Sequence, residues 1–245
     1  MATATTEKLN AKVVPPADWV KARKDLLAKE KEFTRLRDDL SRQRRELPWE
    51  KVQKNYVFVG PKGKVTLPDL FDGRSQLVVK HFMFGPDWSE GCVGCSFEMD
   101  QVQGALIHIK HHDVSYAAVS RAPFPKIEAF RRRMGWQIKW VSSCDNDFNY
   151  DFNVSFTPEE IANNAAYYNY RQGASVIDEM SGRSVFYKDE QGRIFHTYSS
   201  FARGGEIFLT SYAFLDITPK GRDETINGNL TDWVRHHDRY DDAAV

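Results

Sequence analysis

The chain has 245 residues, and its 34 lysine and arginine side chains equal its 34 aspartate and glutamate side chains, so the formal net charge is zero. This balance removes the global electrostatic reason to expect a nucleic-acid partner. No apolar run reaches the roughly 20 residues that span a bilayer, so we expect no membrane partner either. Three cysteines, two of them spaced C-x-x-C, fit a reducing compartment and predict a cytoplasmic protein.

The first patterned segment is a highly charged helix. Residues 1–14 are small and polar, and we expect a loose tail there. Between Trp19 and Leu47, apolar residues recur at every seventh position among many charged ones. Such a seam has to be covered by the body of the protein or by a second chain. We therefore predict that residues 1–47 form a tail and a helical arm, used for docking or for a homodimer, and that residues 48–245 form one α/β domain.

The stretch from Leu77 to His112 predicts a strand, a loop and a helix around two cysteines. Its first eight residues, L-V-V-K-H-F-M-F, are typical of a strand buried on both faces, and Gly85 and Pro86 end that strand. From Cys95 onward, apolar residues fall at helical spacing, with acidic residues in the first turns. Cys92 should therefore lie at a helix N-terminus, with Cys95 one turn further in.

That placement predicts redox chemistry. The helix dipole and the unpaired backbone N–H groups of a helix N-terminus stabilise a thiolate, which is the reactive form of cysteine. We assign Cys92 as the attacking thiol, because it is nearer the solvent-facing loop, and Cys95 as the resolving thiol. Trp88 could cover one side of the pair, whereas the Glu90 carboxylate would raise the pKa of a nearby thiol. The alternative is that both cysteines are ordinary buried residues.

The remainder of the chain predicts a sheet that finishes in a hairpin. A second buried strand over residues 114–120 would complete a right-handed crossover between parallel strands. T-P-E-E-I at residues 157–161 has the form of a helix start, and we expect that helix to continue to residue 170. The other predicted elements are a strand at 56–59, a helix at 126–134, a strand at 136–142, hairpin strands at 184–188 and 193–198, and a helix at 208–215.

Three segments together resemble a known bacterial family. V-V-K-H-F-M-F-G-P-D-W-x-x-x-C-x-x-C-S, F-Y-K-D-x-x-G-x-I-F-H-T-Y-S and L-D-I-T-P-K-G-R-D-E are similar to domain-of-unknown-function family 899, described as predicted dithiol-disulfide oxidoreductases. The resemblance covers about residues 48–240. It implies a thioredoxin-like α/β fold of the peroxiredoxin type, with a central mixed sheet flanked by helices. It also implies a thiol-disulfide oxidoreductase without a cofactor, acting on a disulfide-bearing or small electrophilic substrate and reduced by another thiol.

The sequence departs from two patterns of the thioredoxin-like enzymes. Where these enzymes usually carry a cis-proline before the hairpin, residues 181–184 are S-G-R-S, which argues against broad disulfide-reductase activity. The peroxiredoxin pattern P-x-x-x-T-x-x-C is matched only by Ser89 at the threonine offset. Peroxide reduction is therefore the less favoured activity, with Arg121, Arg183 or Arg203 as the cation that it needs.

Other residues are candidates for a pocket or a metal site. Ligands of open α/β sheets usually bind at the carboxyl ends of strands, and the predicted pocket residues are Trp88, Ser89, Arg121, Pro123, Phe148, Tyr150, His196 and Tyr198. One alternative function is copper or zinc binding or delivery by Cys92, Cys95 and His196. A second alternative is a redox-inert interaction module whose functional part is the arm. Cys144 follows a strand at the same edge and is either a further resolving thiol or an ordinary one.

Overall fold

The N-terminal helix stands apart from the core of the protein. The computed structural model describes residues 11–222 and 231–240. Helix α1, Pro16–Arg45, begins with a proline, whose fixed φ angle suits the first turn. It ends before Leu47, the last member of the predicted seam, and none of its residues is buried.

The body of the protein is built on one mixed sheet. The ten strands of the described residues are β1 (Glu50–Lys51), β2 (Val57–Gly60), β3 (Gly63–Thr66), β4 (Gln76–His81), β5 (Val114–Ser120), β6 (Lys139–Ser142), β7 (Ala166–Tyr168), β8 (Arg171–Gly173), β9 (Gly182–Lys188) and β10 (Ile194–Phe201). Eight of them form a sheet in the order β1-β10-β9-β4-β5-β6-β2-β3, and β7 pairs with β8 alone. Strands β4, β5 and β6 are parallel, whereas the other neighbours in the main sheet are antiparallel.

The centre of this sheet has thioredoxin-like topology. Strand β4 leads through helices to the parallel strand β5, and the antiparallel hairpin β9–β10 pairs with the other side of β4. This arrangement confirms the predicted α/β fold and its closing hairpin. The further helices of the described residues are α2 (Val93–Val102), α3 (Leu106–His111), α4 (Phe124–Arg133), α5 (Phe148–Asp151), α6 (Pro158–Ala162) and α7 (Thr210–Leu215). None of the described helices has both the length and the apolar character that a membrane crossing requires.

Successive residues of β4 face two different cores, because side chains alternate along a strand. Leu77 and Val79 pack in the core that contains Phe148 and Phe186. Val78 packs against the other core, which contains Cys95 and the apolar side of α4. The cysteine motif therefore belongs to one face of the sheet only.

Two predicted helices differ from those in the structure. The helix expected to continue to residue 170 stops at Ala162, and the hairpin β7–β8 follows. Asn164 has a positive φ of 53°, a left-handed conformation that asparagine tolerates and that ends a helix. The helix after Cys95 is divided at residues 103–105 into α2 and α3 by a 3₁₀ turn containing Gly104.

Candidate active site

The two cysteines lie at the start of helix α2. Cys92 immediately precedes the first helical residue, and its Sγ accepts a hydrogen bond of 3.5 Å from the backbone N–H of Cys95. Cys92 is half-buried, whereas Cys95 is 3 % exposed. Gly91 allows the preceding loop to lie against the core, because a Cβ at this position would be 2.6 Å from the Phe82 ring. Cys92 is therefore the reachable sulfur, and Cys95 lies behind it.

A hydrogen bond between the two thiols affects which of them ionises first. The Cys92 thiol, together with the Lys80 ammonium, lowers the pKa of Cys95 to about 6, although burial opposes this shift. The same hydrogen bond and burial raise the pKa of Cys92 well above its ordinary value. The first negative charge therefore falls on Cys95, whereas the helix-dipole argument from the sequence placed it on Cys92. Because the sulfurs share the remaining proton, the pair behaves as a single acid.

Close to Cys95 is a buried ionic cluster of Lys80, Glu98 and Arg183, which are 0 %, 2 % and 6 % exposed. The Lys80 ammonium donates to Glu98 Oε2 at 2.8 Å and to Ser181 Oγ at 2.7 Å. Arg183 Nε donates to Glu98 Oε1 at 2.8 Å, and Arg183 Nη2 bonds the other carboxylate oxygen. These three charges come from β4, α2 and β9, so the cluster joins the elements that surround the cysteines.

The ionic cluster carries one net positive charge, since two cations face one carboxylate. Burial opposes ionisation of Glu98, but Lys80 and Arg183 outweigh it and lower the pKa of this carboxyl. Arg183 Nη1 is buried without a hydrogen-bond partner. An unbalanced buried cation is costly, and a nearby thiolate reduces that cost. The cluster therefore favours the ionised form of the cysteine pair.

The end of helix α4 and residues from the C-terminal part of the described chain hold the loop before Cys92. Arg133 and Arg239 donate to the Glu90 carboxylate at 3.0 Å and 2.7 Å. His236 Nε2 donates to the Gly91 carbonyl at 3.0 Å. Glu90 is partly desolvated, yet the two guanidinium groups lower the pKa of its carboxyl. The negative charge that was expected to oppose thiol ionisation is thus balanced locally.

Trp88 is the predicted pocket residue that the structure brings to the cysteine motif. Trp88 and Cys92 are both half-buried and pack against the same core. Lys126 donates to the carbonyl of Pro86 at 2.7 Å, which fixes the loop that carries Trp88. Ser89, at the threonine position of the peroxiredoxin pattern, is exposed.

Arg121 and Tyr150 belong to a separate polar group beyond the end of β5. Arg121 Nη1 donates to Glu179 Oε1 at 2.8 Å, and its guanidinium lies 4.7 Å from the centroid of the Tyr150 ring. Burial raises the pKa of Glu179 to about 7, although Arg121 opposes the shift. Pro123 is exposed and precedes α4. Of the three arginines considered for a peroxide site, Arg183 interacts electrostatically with Cys95, whereas Arg121 pairs with Glu179 and Arg203 pairs with Glu206.

The other predicted pocket residues do not lie with the cysteines. Phe148 is fully buried in the opposite core, and the His196 ring packs against Phe186 of that core at 5.6 Å. Tyr198 lies near the end of the arm, with the Arg44 guanidinium 5.8 Å from its ring centroid. The sheet separates its two cores, which corrects the predicted pocket for Phe148 and His196. Tyr198 pairs with Val185 on the face of Val78, but its ring lies against the Arg44 guanidinium of the arm, so the predicted pocket is corrected for this residue as well.

The metal alternative is not assembled in the part of the chain that the structure describes. Those residues contain no group of three or more His, Cys, Asp and Glu side chains placed to hold a metal ion. His196 Nε2 instead shares a hydrogen bond of 2.7 Å with Ser199 Oγ, on the other face of the sheet from Cys95. Cys144 is an exposed thiol just beyond β6.

A sheet of this topology, with two cysteines at the start of the helix that follows its first parallel strand, defines a thioredoxin-like protein. The family model described as "Bacterial protein of unknown function (DUF899)" matches residues 8–240, and the chain belongs to that family.

Solved structures similar to this chain include two of peroxiredoxin Q. A cysteine mutant from Xanthomonas campestris has 15 % identity and a TM-score of 0.46 over 69 % of this chain and 98 % of that one. A cysteine mutant from Xylella fastidiosa has 14 % identity and a TM-score of 0.43 over 68 % and 94 %. A thiol:disulfide interchange protein from Bacteroides sp. has 15 % identity and a TM-score of 0.40 over 69 % and 91 %. No curated protein matches the sequence.

Proposed function

We propose that the protein is a thiol-disulfide oxidoreductase in which Cys92 attacks the substrate and Cys95 resolves the intermediate. The observation that carries this proposal is a half-exposed thiol hydrogen-bonded to a buried, acidic thiol beside a net positive buried cluster. A substrate can reach only the first of these sulfurs, while the charge that activates the pair is stabilised at the second. A reducing compartment such as the cytoplasm would keep the pair in its dithiol form.

The first step requires the shared proton to pass from Cys92 to Cys95. The Cys92 thiolate then attacks one sulfur of a substrate disulfide, forming a mixed disulfide and releasing the other substrate sulfur as a thiolate. That leaving thiolate takes up the proton from Cys95, directly or through solvent. Negative charge therefore returns to Cys95, where Lys80 and the helix can stabilise it.

In the second step the Cys95 thiolate attacks the Cys92 sulfur of the mixed disulfide. A Cys92–Cys95 disulfide forms, and the second substrate sulfur leaves as a thiolate. The two cysteines have lost two electrons and the substrate disulfide has gained two. Another thiol reductant must then reduce the enzyme disulfide to complete the cycle.

An aromatic disulfide whose released thiolate is coloured tests this sequence of steps. The exposed Cys144 would react as well, so the measurement uses a Cys144→Ser background. In that background, we expect the chain to release two coloured thiolates per molecule and retain no adduct. The Cys95→Ser variant should release only one and keep the aromatic group covalently attached to Cys92, as measured by intact mass.

The matched control is Cys92→Ser, which leaves only the buried thiol. We expect it to react much more slowly than Cys95→Ser, because the Cys95 side chain is inaccessible even though it is the more acidic one. If Cys92→Ser reacted as fast as Cys95→Ser, the roles of the two sulfurs would be reversed. If neither variant formed an adduct while both remained folded by circular dichroism, the proposed activity would be wrong.

A further inference from the structure

The arm presents an apolar stripe that no described part of the chain covers. Helix α1 has 30 residues, which corresponds to a length of about 45 Å. Trp19, Leu26, Phe33 and Leu40 follow one another at intervals of seven residues and are 59 %, 52 %, 65 % and 42 % exposed. A contiguous stripe of large apolar side chains is typical of a surface that binds another protein. The sequence predicted that either the body of the protein or a second chain buries this stripe, and the body does not bury it.

The charges beside this stripe are arranged by sign. If the four apolar residues are placed at position a of a heptad, the acidic residues fill every position g of the helix, namely Asp18, Asp25, Glu32 and Asp39. Three of the four positions e are arginine, with one glutamate, in the order Arg23, Glu30, Arg37 and Arg44. One flank of the stripe is therefore acidic and the other mainly basic.

We propose that the partner of this stripe is the arm of a second copy of the chain, in a parallel two-stranded coiled coil. In a parallel pair, each position g faces position e of the next heptad on the other helix. Asp18, Glu32 and Asp39 then each face an arginine of the second copy. The one unfavourable contact is between Asp25 and the glutamate at position 30.

An antiparallel pair would have the opposite electrostatics. Positions g then face positions g, and positions e face positions e, so acids meet acids and arginines meet arginines. Like charges that face each other at these positions disfavour the antiparallel pair. The arm also forms ion pairs within its own helix, such as those of Arg42 with Asp39 and Glu46. Because these pairs are exposed, their rearrangement costs little free energy.

The positions d make the pairing selective rather than strong. They are Ala22, Lys29, Leu36 and Gln43, so only one large apolar residue supports the column at a. Polar residues in a coiled-coil core reduce its stability but fix its register and the number of helices. Because the rest of the chain continues from the C-terminal end of α1, a parallel pair would place both folded bodies at the same end.

Sedimentation equilibrium of the full-length protein tests whether a second copy binds. We expect a dimer over the micromolar range and a monomer for Phe33→Glu, whose side chain is exposed and does not contribute to the fold of the body. The charge pattern is tested by the double variant Arg37→Glu/Arg44→Glu, which should raise the dimer dissociation constant by about ten-fold or more. Its matched control, Arg35→Glu/Arg45→Glu, makes the same change of charge at positions c and f and should leave dimerisation nearly unchanged.

The orientation is tested by mild oxidation of two variants that each add one thiol to the arm. Ala22→Cys places its thiol at position d, where a parallel pair brings it against the same thiol of the second copy, whereas Ala28→Cys places its thiol at position c, which points away. We expect a disulfide between the two copies at the introduced thiols, identified by mass spectrometry of the linked peptides, only for Ala22→Cys. A monomeric wild type, a dimer that persists in Phe33→Glu, or equal linking of the two added-thiol variants would each overturn the proposal.

Discussion

After the hydrogen bond between the two thiols, the buried cation Lys80 is the next cause that lowers the pKa of Cys95, so its removal should make the pair less acidic. A pKa of about 6 for Cys95 means that about nine in ten pairs carry a thiolate at pH 7. For a thiol at the ordinary value of 9.0, the corresponding fraction is about one in a hundred. The environment of the pair therefore raises the population of the singly ionised pair, with the charge on Cys95, by nearly two orders of magnitude.

The variant Lys80→Met removes the cation while keeping a side chain of similar length. The ionic cluster then falls from one net positive charge to zero, and Arg183 still pairs with Glu98, so no carboxylate is left alone in the core. Loss of one nearby opposite charge raises a pKa by about one to two units. At pH 7, the thiolate fraction should therefore fall to between about a half and about a tenth.

The ultraviolet absorbance of the thiolate, followed as a function of pH, measures this shift. The titration uses the Cys144→Ser background, so that only the pair contributes. Lys139→Met is the control, because it removes the same charge from a partly exposed lysine that pairs with Asp72. A wild-type midpoint near 9, or equal midpoints for the wild type and Lys80→Met, would refute the electrostatic reasoning.

Two further predictions concern stability. Burial lowers the pKa of His81 to about 3, so below pH 6.5 the unfolded chain binds a proton at this residue and the folded chain does not. The free energy of unfolding should therefore be undiminished above pH 6.5 and lower by about 2 kcal/mol near pH 5. Chemical denaturation at several pH values should show this component in the wild type and not in His81→Gln, and equal slopes for both would contradict it. In Gly205→Ala, the new Cβ would overlap the guanidinium of Arg183, which is buried and bonded to Glu98, so we expect the free energy of unfolding to fall by about 2 kcal/mol. Gly104→Ala meets nothing within 4 Å and should be tolerated. Similar denaturation midpoints for the two glycine variants would show that Arg183 can move aside.

Lys80 is the feature of the sequence from which the ionic cluster could have been predicted. Lys80 interrupts a run predicted to be buried on both faces, and a lysine in such a strand requires a buried acid. Acidic residues are favoured in the first turns of a helix, and this preference alone can explain Glu98 in the sequence. However, Glu98 lies one turn after Cys95, where its side chain can face the strand. The motif itself, its helix and the strand before it were predictable because they depend on local spacing.

The pocket was mispredicted because it depends on long-range pairing. Phe148 and His196 are distant in the chain from the cysteines, and only the sheet order shows that their side chains belong to the other core. A register shift between His196 and Tyr198 also breaks the alternation from which the facing of β10 would be inferred. For the arm, in contrast, the apolar seam could be predicted from the sequence, because it depends on local spacing. Only the structure shows that the body of the protein does not bury this seam.

The different roles of the two sulfurs also predict the pKa of Cys92 in the Cys95→Ser variant before any substrate binds. In the wild type, the hydrogen bond with Cys95 is the largest cause of the raised pKa of Cys92. A serine at position 95 cannot take the negative charge, so the thiolate must then form on Cys92 itself. There it still accepts the backbone N–H at the start of α2, and it still lies in the field of Lys80. The Cys95→Ser variant should therefore have a more acidic attacking thiol than the wild type, and its slow step should be the missing resolution rather than the first attack.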